Sequence, residues 1–296
     1  VLFVFVIFIG VLMGALVPTM RGRVALLEVQ GIIYDARQII DELHSYNENP
    51  TVRAIVIRID SPGGSAAASQ ELFYEILQIR KKSAKPVIAS LGNVAASGGY
   101  YIACGAEEIY ANPATLTGSV GVIMNFTNWE GLVDKIGIRF EVVKSGEYKD
   151  IGSPNRPMTE DEKELLQTII DDVYDQFTED VFQTRQSGLE RAFFRLHPEE
   201  EDLPTTNGVR LFMAGLTDGR IFSGRQAYEY GFVDHLGNLE DAIKRAGQLA
   251  GMKGRPRIYQ KKKPLKFLDL MQGRIDHILR SLSPHYPSLE YRYIPR

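Results

Sequence analysis

The sequence predicts an α/β fold built on a largely parallel sheet covered by helices. From Arg23 onward, short apolar runs of the buried type alternate with amphipathic stretches at helical spacing. Gly- and Pro-rich breaks punctuate them, and repeated β-α-β order of this kind is the signature of a parallel sheet. The composition agrees: 296 residues, 44% hydrophobic and 24% charged, is close to a globular average.

Taken in order, Val24–Val29 (VALLEV) reads as a buried strand. Asp35–Tyr46 reads as a helix with Ile39, Ile40 and Leu43 on one face. Ala54–Ile59 is a second strand, broken sharply by Asp60-Ser61-Pro62-Gly63-Gly64. Glu71, Leu72, Ile76 and Ile79 lie on the helix that follows. Pro86–Leu91 is a third strand, Gly98–Gly105 a short helix and Glu108–Ala111 a short strand. Val120–Met124 and Phe140–Val143 read as further strands, with a helix around Trp129–Lys135 between them. Thr159–Arg185 is a long helix, opened by a T-x-x-E capping box of Thr159 and Glu162. Residues 187–208, with Glu199-Glu200-Glu201-Asp202 and two prolines, read as an exposed loop or lid. Ser223–Tyr230 and Asn238–Ala250 are helices around a short strand at Phe232-Val233-Asp234.

The two ends differ from this body. Residues Val1–Val17 carry no charge. As a helix they would span about 26 Å, just short of a hydrocarbon core of about 30 Å. Pro18-Thr19-Met20-Arg21 is a poor signal cleavage site, and the chain starts at Val1. Residues 1–20 are therefore expected to be a truncated transmembrane anchor, in preference to a cleaved signal or a buried core helix. The tail, 251–296, holds six basic and two acidic residues between Lys261 and Ser281, with Leu265, Leu268, Met271, Ile275, Ile278 and Leu282 forming one apolar stripe. Such a helix suits anionic lipid or a neighbouring subunit.

A net charge of −3, from 34 basic and 37 acidic residues, gives no global pull toward nucleic acid. One cysteine, Cys104, excludes an intrachain disulfide or a thiolate-rich zinc site, and five scattered histidines make a metal centre a poor expectation.

Hydroxyl chemistry remains. Ser97, in Gly92-Asn93-Val94-Ala95-Ala96-Ser97-Gly98-Gly99-Tyr100, ends a buried strand and opens a helix. That is the sheet edge where open α/β folds bind ligands. A plain N-cap is an equally good reading of this segment alone, and it is not a G-x-S-x-G elbow. None of the histidines, at 44, 197, 235, 277 and 285, sits in a Gly-rich break after a core strand, so a Ser-His-Asp triad has little support. Lysine is the next base. Lys149 leaves the strand at Phe140–Val143 in Lys144-Ser145-Gly146-Glu147-Tyr148-Lys149-Asp150. A lysine must lose its charge to accept a proton, and position alone does not select this one. Acyl transfer also needs N–H donors for the oxyanion. Gly64 and Gly98 are placed to offer them, although Asp-Ser-Pro-Gly-Gly is also a plain tight turn. Ser119, in Leu116-Thr117-Gly118-Ser119, is either a partner that orients the lysine or a rival nucleophile.

Six runs resemble the signal peptide peptidase A family of serine proteases in its short, single-domain form: IDSPGGS (59–65), VAASGGYYIA (94–103), NPATLTGSVGVI (112–123), KSGEYKDIGSP (144–154), RPMTEDEKELLQ (156–167) and DGRIFSGRQAYEYGFVDHLGNLEDA (218–242). The resemblance covers about Arg23 to Ala250. It implies a crotonase/ClpP-like spiral of β-β-α units as a peptidase domain over 23–250. It implies Ser97 as nucleophile, Lys149 as general base, Ser119 orienting the lysine, and the Gly64 and Gly98 amides as oxyanion hole, with no metal or cofactor. Family members are membrane-anchored, dome-shaped homo-oligomers that degrade signal peptides after their release from preproteins, so a single-pass membrane protein with an extracytoplasmic catalytic domain is expected. Residues 187–208 look like an insertion, and the tail falls outside the family runs. Alternatives are a related membrane protease acting on specific membrane-protein partners, an inactive scaffold of the same fold, and a crotonase-type acyl-CoA enzyme, which the GEYKD and SGRQA runs disfavour.

Overall fold

Three long strands form the centre because their residues are apolar on both faces. These are β1 (Arg23–Gln30), β2 (Val52–Ser61) and β4 (Val87–Ala96), adjacent and parallel. A strand of a parallel sheet is covered on both sides and so reads as a continuous hydrophobic run. Alternation then divides each strand. Ala25, Leu27 and Val29 of β1 face one core, and Val24 and Leu26 face the other. The larger core receives Leu43 and Tyr46 of α1 (Arg37–Glu48) and Leu72, Phe73 and Ile76 of α2 (Ala66–Lys82). The smaller receives Ala242, Ile243 and Ala246 of α8 (Leu239–Leu249). Full burial of side chains such as Leu27, Phe73 and Ile76 contributes about 1.5–3 kcal/mol each.

The computed structural model describes residues 22–198, 205–261 and, for the backbone alone, 290–292. The expected anchor at 1–20 and most of the expected amphipathic tail lie outside the described residues. Among the described residues no helix is long and apolar enough to cross a membrane.

The sheet runs β7-β6-β4-β2-β1-β9, where β6 is Leu116–Gly118, β7 Ile221–Ser223 and β9 Arg257–Tyr259. Every pairing is parallel except β6 with β7. Strand β4 serves two neighbours on its outer side. Its first half pairs with β5 (Glu108–Ala111), which carries β8 (His235–Leu236), and its last three residues pair with β6. A mixed, predominantly parallel α/β sheet is therefore present, as the alternating pattern predicts.

Several expectations change. The helix expected to stop at Arg185 is α5 (Glu160–Leu196), so the first ten residues of the expected loop at 187–208 are helical. Leu189, Ala192 and Phe193 are buried there, and their apolar burial outweighs the surrounding charge. Gly188 permits the approach: a Cβ on it would lie 2.4 Å from the Gly231 carbonyl oxygen. Helix α6 (Thr206–Ala214) follows. Phe140–Val143 forms no strand, and Val143 is fully exposed. Val120–Met124 forms none beyond a single bridge residue at Ile123. The strand expected at Phe232-Val233-Asp234 lies slightly later, at β8. The Thr159–Glu162 capping box is formed in both directions.

Candidate active site

The site begins with a bulge in β4. Between the pairs Ile59↔Leu91 and Ser61↔Ala95, β2 advances two residues and β4 four. The Asp60 carboxylate fills the gap, accepting the Val94 N–H at 3.1 Å and the Asn93 side-chain amide at 3.1 Å. A Cβ at Gly92 would lie 2.7 Å from Asp60 Cγ, so the bulge needs glycine there. The bulge carries β4 on to Ala96 beside β6, and Ser97 is the next residue.

Ser97 links β4 to α3 (Gly98–Cys104). Its backbone has φ 53° and ψ −118°, a region in which a side chain is strained by about 1–3 kcal/mol. The fold holds it there. The Ser97 N–H donates to Gly118 O at 2.8 Å, and the Ser97 carbonyl accepts from the Tyr101 N–H at 2.8 Å. Ser97 is 1% exposed. Its side chain makes no cap hydrogen bond to α3, so the N-cap reading does not account for it.

Ser119 is its counterpart on β6. It also has φ 53°, is 7% exposed, and donates its N–H to Arg220 O at 2.8 Å. Since Ala96 pairs with Gly118, Ser97 and Ser119 follow in adjacent register positions. Gly98, buried, is the first residue of α3, so its N–H has no acceptor within the helix. Gly64 lies in β3 (Gly63–Ser65), which α3 approaches. Ile33 bridges β3 through Gly63 O and the Ser65 N–H, leaving the Gly64 amide out of that bridge. A Cβ on Gly64 would fall 2.1 Å from Ile33 O, so no side chain fits. Ser97, Ser119, Gly98 and Gly64 thus share one end of the sheet.

A buried polar lattice fixes α3 from behind. Tyr100 Oη donates to Phe232 O at 2.9 Å, and Tyr101 Oη donates to the Asp180 carboxylate of α5. Arg185, 3% exposed, meets Asp234 at 2.6 Å, and Asp234 also accepts the Ile109 N–H at 2.8 Å. Burial alone would lower the Arg185 pKa, but the Asp234 charge overrides it and holds the guanidinium charged. Burial pushes the Cys104 thiol up to about 12, which makes it a poor nucleophile.

Lys149 lies in a different setting. From Gly121 to Asp161 no residue is buried. This arm carries α4 (Glu130–Lys135) and a 3₁₀ turn (Glu147–Asp150) that includes Lys149. Its order is electrostatic. Arg156 grips Asp150 and Glu162, and Lys144 Nζ reaches Asp150 at 2.6 Å. The Arg156 and Lys144 cations hold the Asp150 carboxyl well below the usual range. Arg156, with the Thr159 N–H, lowers Glu162 to about 2. Lys149 itself is exposed, and its side chain has no hydrogen bond or ion pair among the described residues. The chain does not join it to Ser97. The histidines offer no replacement. His44 pairs with Glu75 at 3.0 Å, His197 Nδ1 lies 3.0 Å from Phe193 O, and His235 meets Glu108 at 3.3 Å. His277 and His285 lie outside the described residues. Among the described residues no cluster of His, Cys, Asp and Glu could hold a metal ion.

Sequence reasoning missed Asp60 and the strained turns at Ser97 and Ser119. The glycine at 92 was the available signal for the bulge.

Comparison with known proteins places this chain among the serine proteases. The model of peptidase family S49 matches residues 79–193. A protein of Synechocystis sp. named as a candidate protease is 41% identical over 78% of this chain and 76% of its own. The chloroplastic serine protease SPPA of Arabidopsis thaliana is 34% identical over 76% of this chain but only 30% of its own length. A membrane-bound stomatin-specific protease of known structure superposes with a TM-score of 0.49 at 15% identity, covering 82% of this chain and 99% of that one. The chain belongs to peptidase family S49, that of the signal peptide peptidase A proteases.

Proposed function

We propose that this protein is a membrane-bound serine endopeptidase that uses a Ser97/Lys149 dyad to degrade signal peptides after their release from preproteins. Its spiral β-β-α fold would be that of ClpP- and crotonase-type enzymes, with residues 1–20 as a truncated single-pass anchor and the catalytic domain outside the cytoplasm. The observation that carries the reading is the Ser97 turn: a buried serine in strained backbone, between β6 and the free amide of Gly98.

Neutral Lys149 takes the Ser97 hydroxyl proton as Oγ attacks the peptide carbonyl carbon. The Gly64 and Gly98 amides hold the oxyanion, a contribution of about 3 kcal/mol per donor. The C–N bond breaks, Lys149 returns the proton to the leaving amine, and an acyl-enzyme remains on Ser97. Water deprotonated by Lys149 then attacks the ester, and Ser97 recovers its proton as the acid product leaves. Ser119 orients the lysine.

In this reading Lys149 reaches Ser97 from a second copy of the chain. Support comes from the arm. It exposes Trp129, Leu132, Ile136, Ile138, Phe140, Val142 and Val143, apolar surface of the kind that subunit contacts cover. A homo-oligomer would bury that surface and complete the site in one step.

Covalent labelling with a fluorophosphonate, located by peptide mapping, tests the assignment. Label on Ser97 that is lost in Ser97→Ala and in Lys149→Ala is the expected result. Label on Ser119, or peptidase activity surviving in Ser97→Ala, contradicts it.

A further inference from the structure

The end of the sheet away from Ser97 is basic. β1, β2, β4 and β9 are parallel and all begin at that end, with Arg23 opposite both Val52 and Arg257. Three connections meet there: 49–51 from α1 to β2, 83–86 from α2 to β4, and 250–256 from α8 to β9. They and the residues beside them gather Arg53, Lys81, Lys82, Lys253 and Arg257, all exposed and none in an ion pair among the described residues. Glu48 is the one acidic residue flanking these connections. The chain as a whole, by contrast, has a net charge of −3.

We infer that this end is a docking face for anionic phospholipid headgroups, which stands the sheet on a bilayer with Ser97 at the far end. The inference deepens the membrane reading proposed above and does not depend on Ser97 being the nucleophile.

Three observations carry it. First, the chain enters the sheet here. Only Arg21 and Gly22 separate the proposed anchor, 1–20, from β1, so a bilayer that holds that segment lies against this end. Second, the fold does not use these charges up. Lysines in the last turn of α2 suit the dipole of that helix. Arg53, Lys253 and Arg257 sit on strands and a loop, where no helix dipole calls for them. Cations crowd one another there: burial, and after it the Arg53 charge, lower the Lys85 pKa. Third, the ten residues of β4 set Ser97 about 30 Å from this face. Docking therefore leaves the catalytic end clear, and a peptide is cut after it has left the headgroup layer. Each cation close to an anionic bilayer strengthens the attraction about fivefold. Nucleic acid would meet the same cations, but nothing ties it to the end at which the proposed anchor enters.

The test puts a thiol-reactive fluorophore on the full chain, at Ala84→Cys on this end or at Gln30→Cys on the catalytic end; both positions are exposed. Cys104 is buried with its thiol pushed up to about 12, so the label goes to the new cysteine. The chain is reconstituted in phosphatidylcholine vesicles with a spin-labelled headgroup quencher, with or without about a quarter phosphatidylglycerol. The probe at position 84 should be quenched at least about twofold more in the anionic vesicles, and the probe at position 30 should not respond. Salt at about 1 M, which shortens screening to about 3 Å, should erase the difference without any further variant. Arg53→Gln with Lys82→Gln, Lys253→Gln and Arg257→Gln should erase it too, in protein shown to be folded by circular dichroism. Equal quenching in both vesicles, or stronger quenching at position 30 than at 84, would overturn the inference. Equal quenching together with a DNA oligonucleotide retained by the chain and lost in the glutamine variant would reassign the face to nucleic acid. Failure of the anchor reads differently. Flotation with anionic vesicles alone, lost in the glutamine variant, keeps the docking face and removes the anchor, whereas flotation with neither vesicle overturns both.

Discussion

The surroundings of Ser97 and of Lys149 are built on opposite principles. Ser97 sits on a closed lattice: a bulge locked by Asp60, a strained turn tied to Gly118, and a helix held by Tyr100, Tyr101 and the buried Arg185–Asp234 pair. Lys149 sits on an arm of 41 residues, 121–161, none of them buried, ordered by the charges of Lys144, Asp150, Arg156 and Glu162. One side is finished within the chain. The other is a surface with its apolar residues outward. On the proposed reading the difference has a purpose: a nucleophile held in strained backbone needs a rigid frame, whereas a base supplied to a neighbour must protrude.

The contrast breaks most sharply at the lysine. Lys149→Ala should lower kcat/KM by about 10³-fold or more while leaving the melting temperature unchanged, because the side chain is exposed and makes no hydrogen bond or ion pair among the described residues. A drop in melting temperature would make the arm part of the core. Arg185→Ala acts on the other side. It leaves Asp234 with only the exposed Arg191, 3.7 Å away, and the Ile109 N–H, and should cost about 3 kcal/mol of unfolding free energy in urea titration. A loss below about 1 kcal/mol would mean that the lattice behind α3 is dispensable. Phe140→Asp with Val143→Asp should leave the fold intact by circular dichroism. It should shift the protein to smaller species in sedimentation and lower activity about tenfold, since charge opposes burial of that face. An unchanged sedimentation profile would remove the arm from any subunit contact.

The smallest effect is the response to acid. Glu162 is lowered to about 2 in the folded chain, below the usual value near 4.5. A carboxylate with a depressed folded pKa stabilises the fold above its unfolded pKa, and that contribution fades as pH falls toward about 2. Carbon-13 NMR of the Glu162 carboxyl should show its midpoint near 2. Arg156→Gln should raise that midpoint toward 4.5. A midpoint near 4.5 in the unaltered chain would mean that the charge brace is not formed in solution.

How much of this was legible beforehand follows from the same contrast. β1, β2 and the start of β4 announce themselves because burial on both faces demands unbroken apolar runs. Ser97, Ser119, Gly64 and Gly98 could be singled out as small residues at strand ends. Their backbone geometry could not, since φ at Ser97 depends on the bulge that Asp60 fixes two elements away. β3, β6 and β7 have three residues each, too few to show a period. Phe140–Val143 misleads for a physical reason: an apolar run reads as a buried strand whether or not a core covers it, and here Phe140, Val142 and Val143 are exposed. The stretch after Arg185 misleads in the opposite sense, because Glu190, Arg191 and Arg195 mask the buried face of Leu189, Ala192 and Phe193.

Mixing two inactive variants tests the central claim most directly. Ser97→Ala supplies a sound Lys149, and Lys149→Ala supplies a sound Ser97. If the dyad forms between copies, equal amounts dissociated and reassembled together should recover about a quarter of the wild-type rate, the share of neighbouring pairs that random assembly makes complete. No recovery, from variants that co-assemble and are individually folded, would contradict the account and return the base to the same chain as its nucleophile.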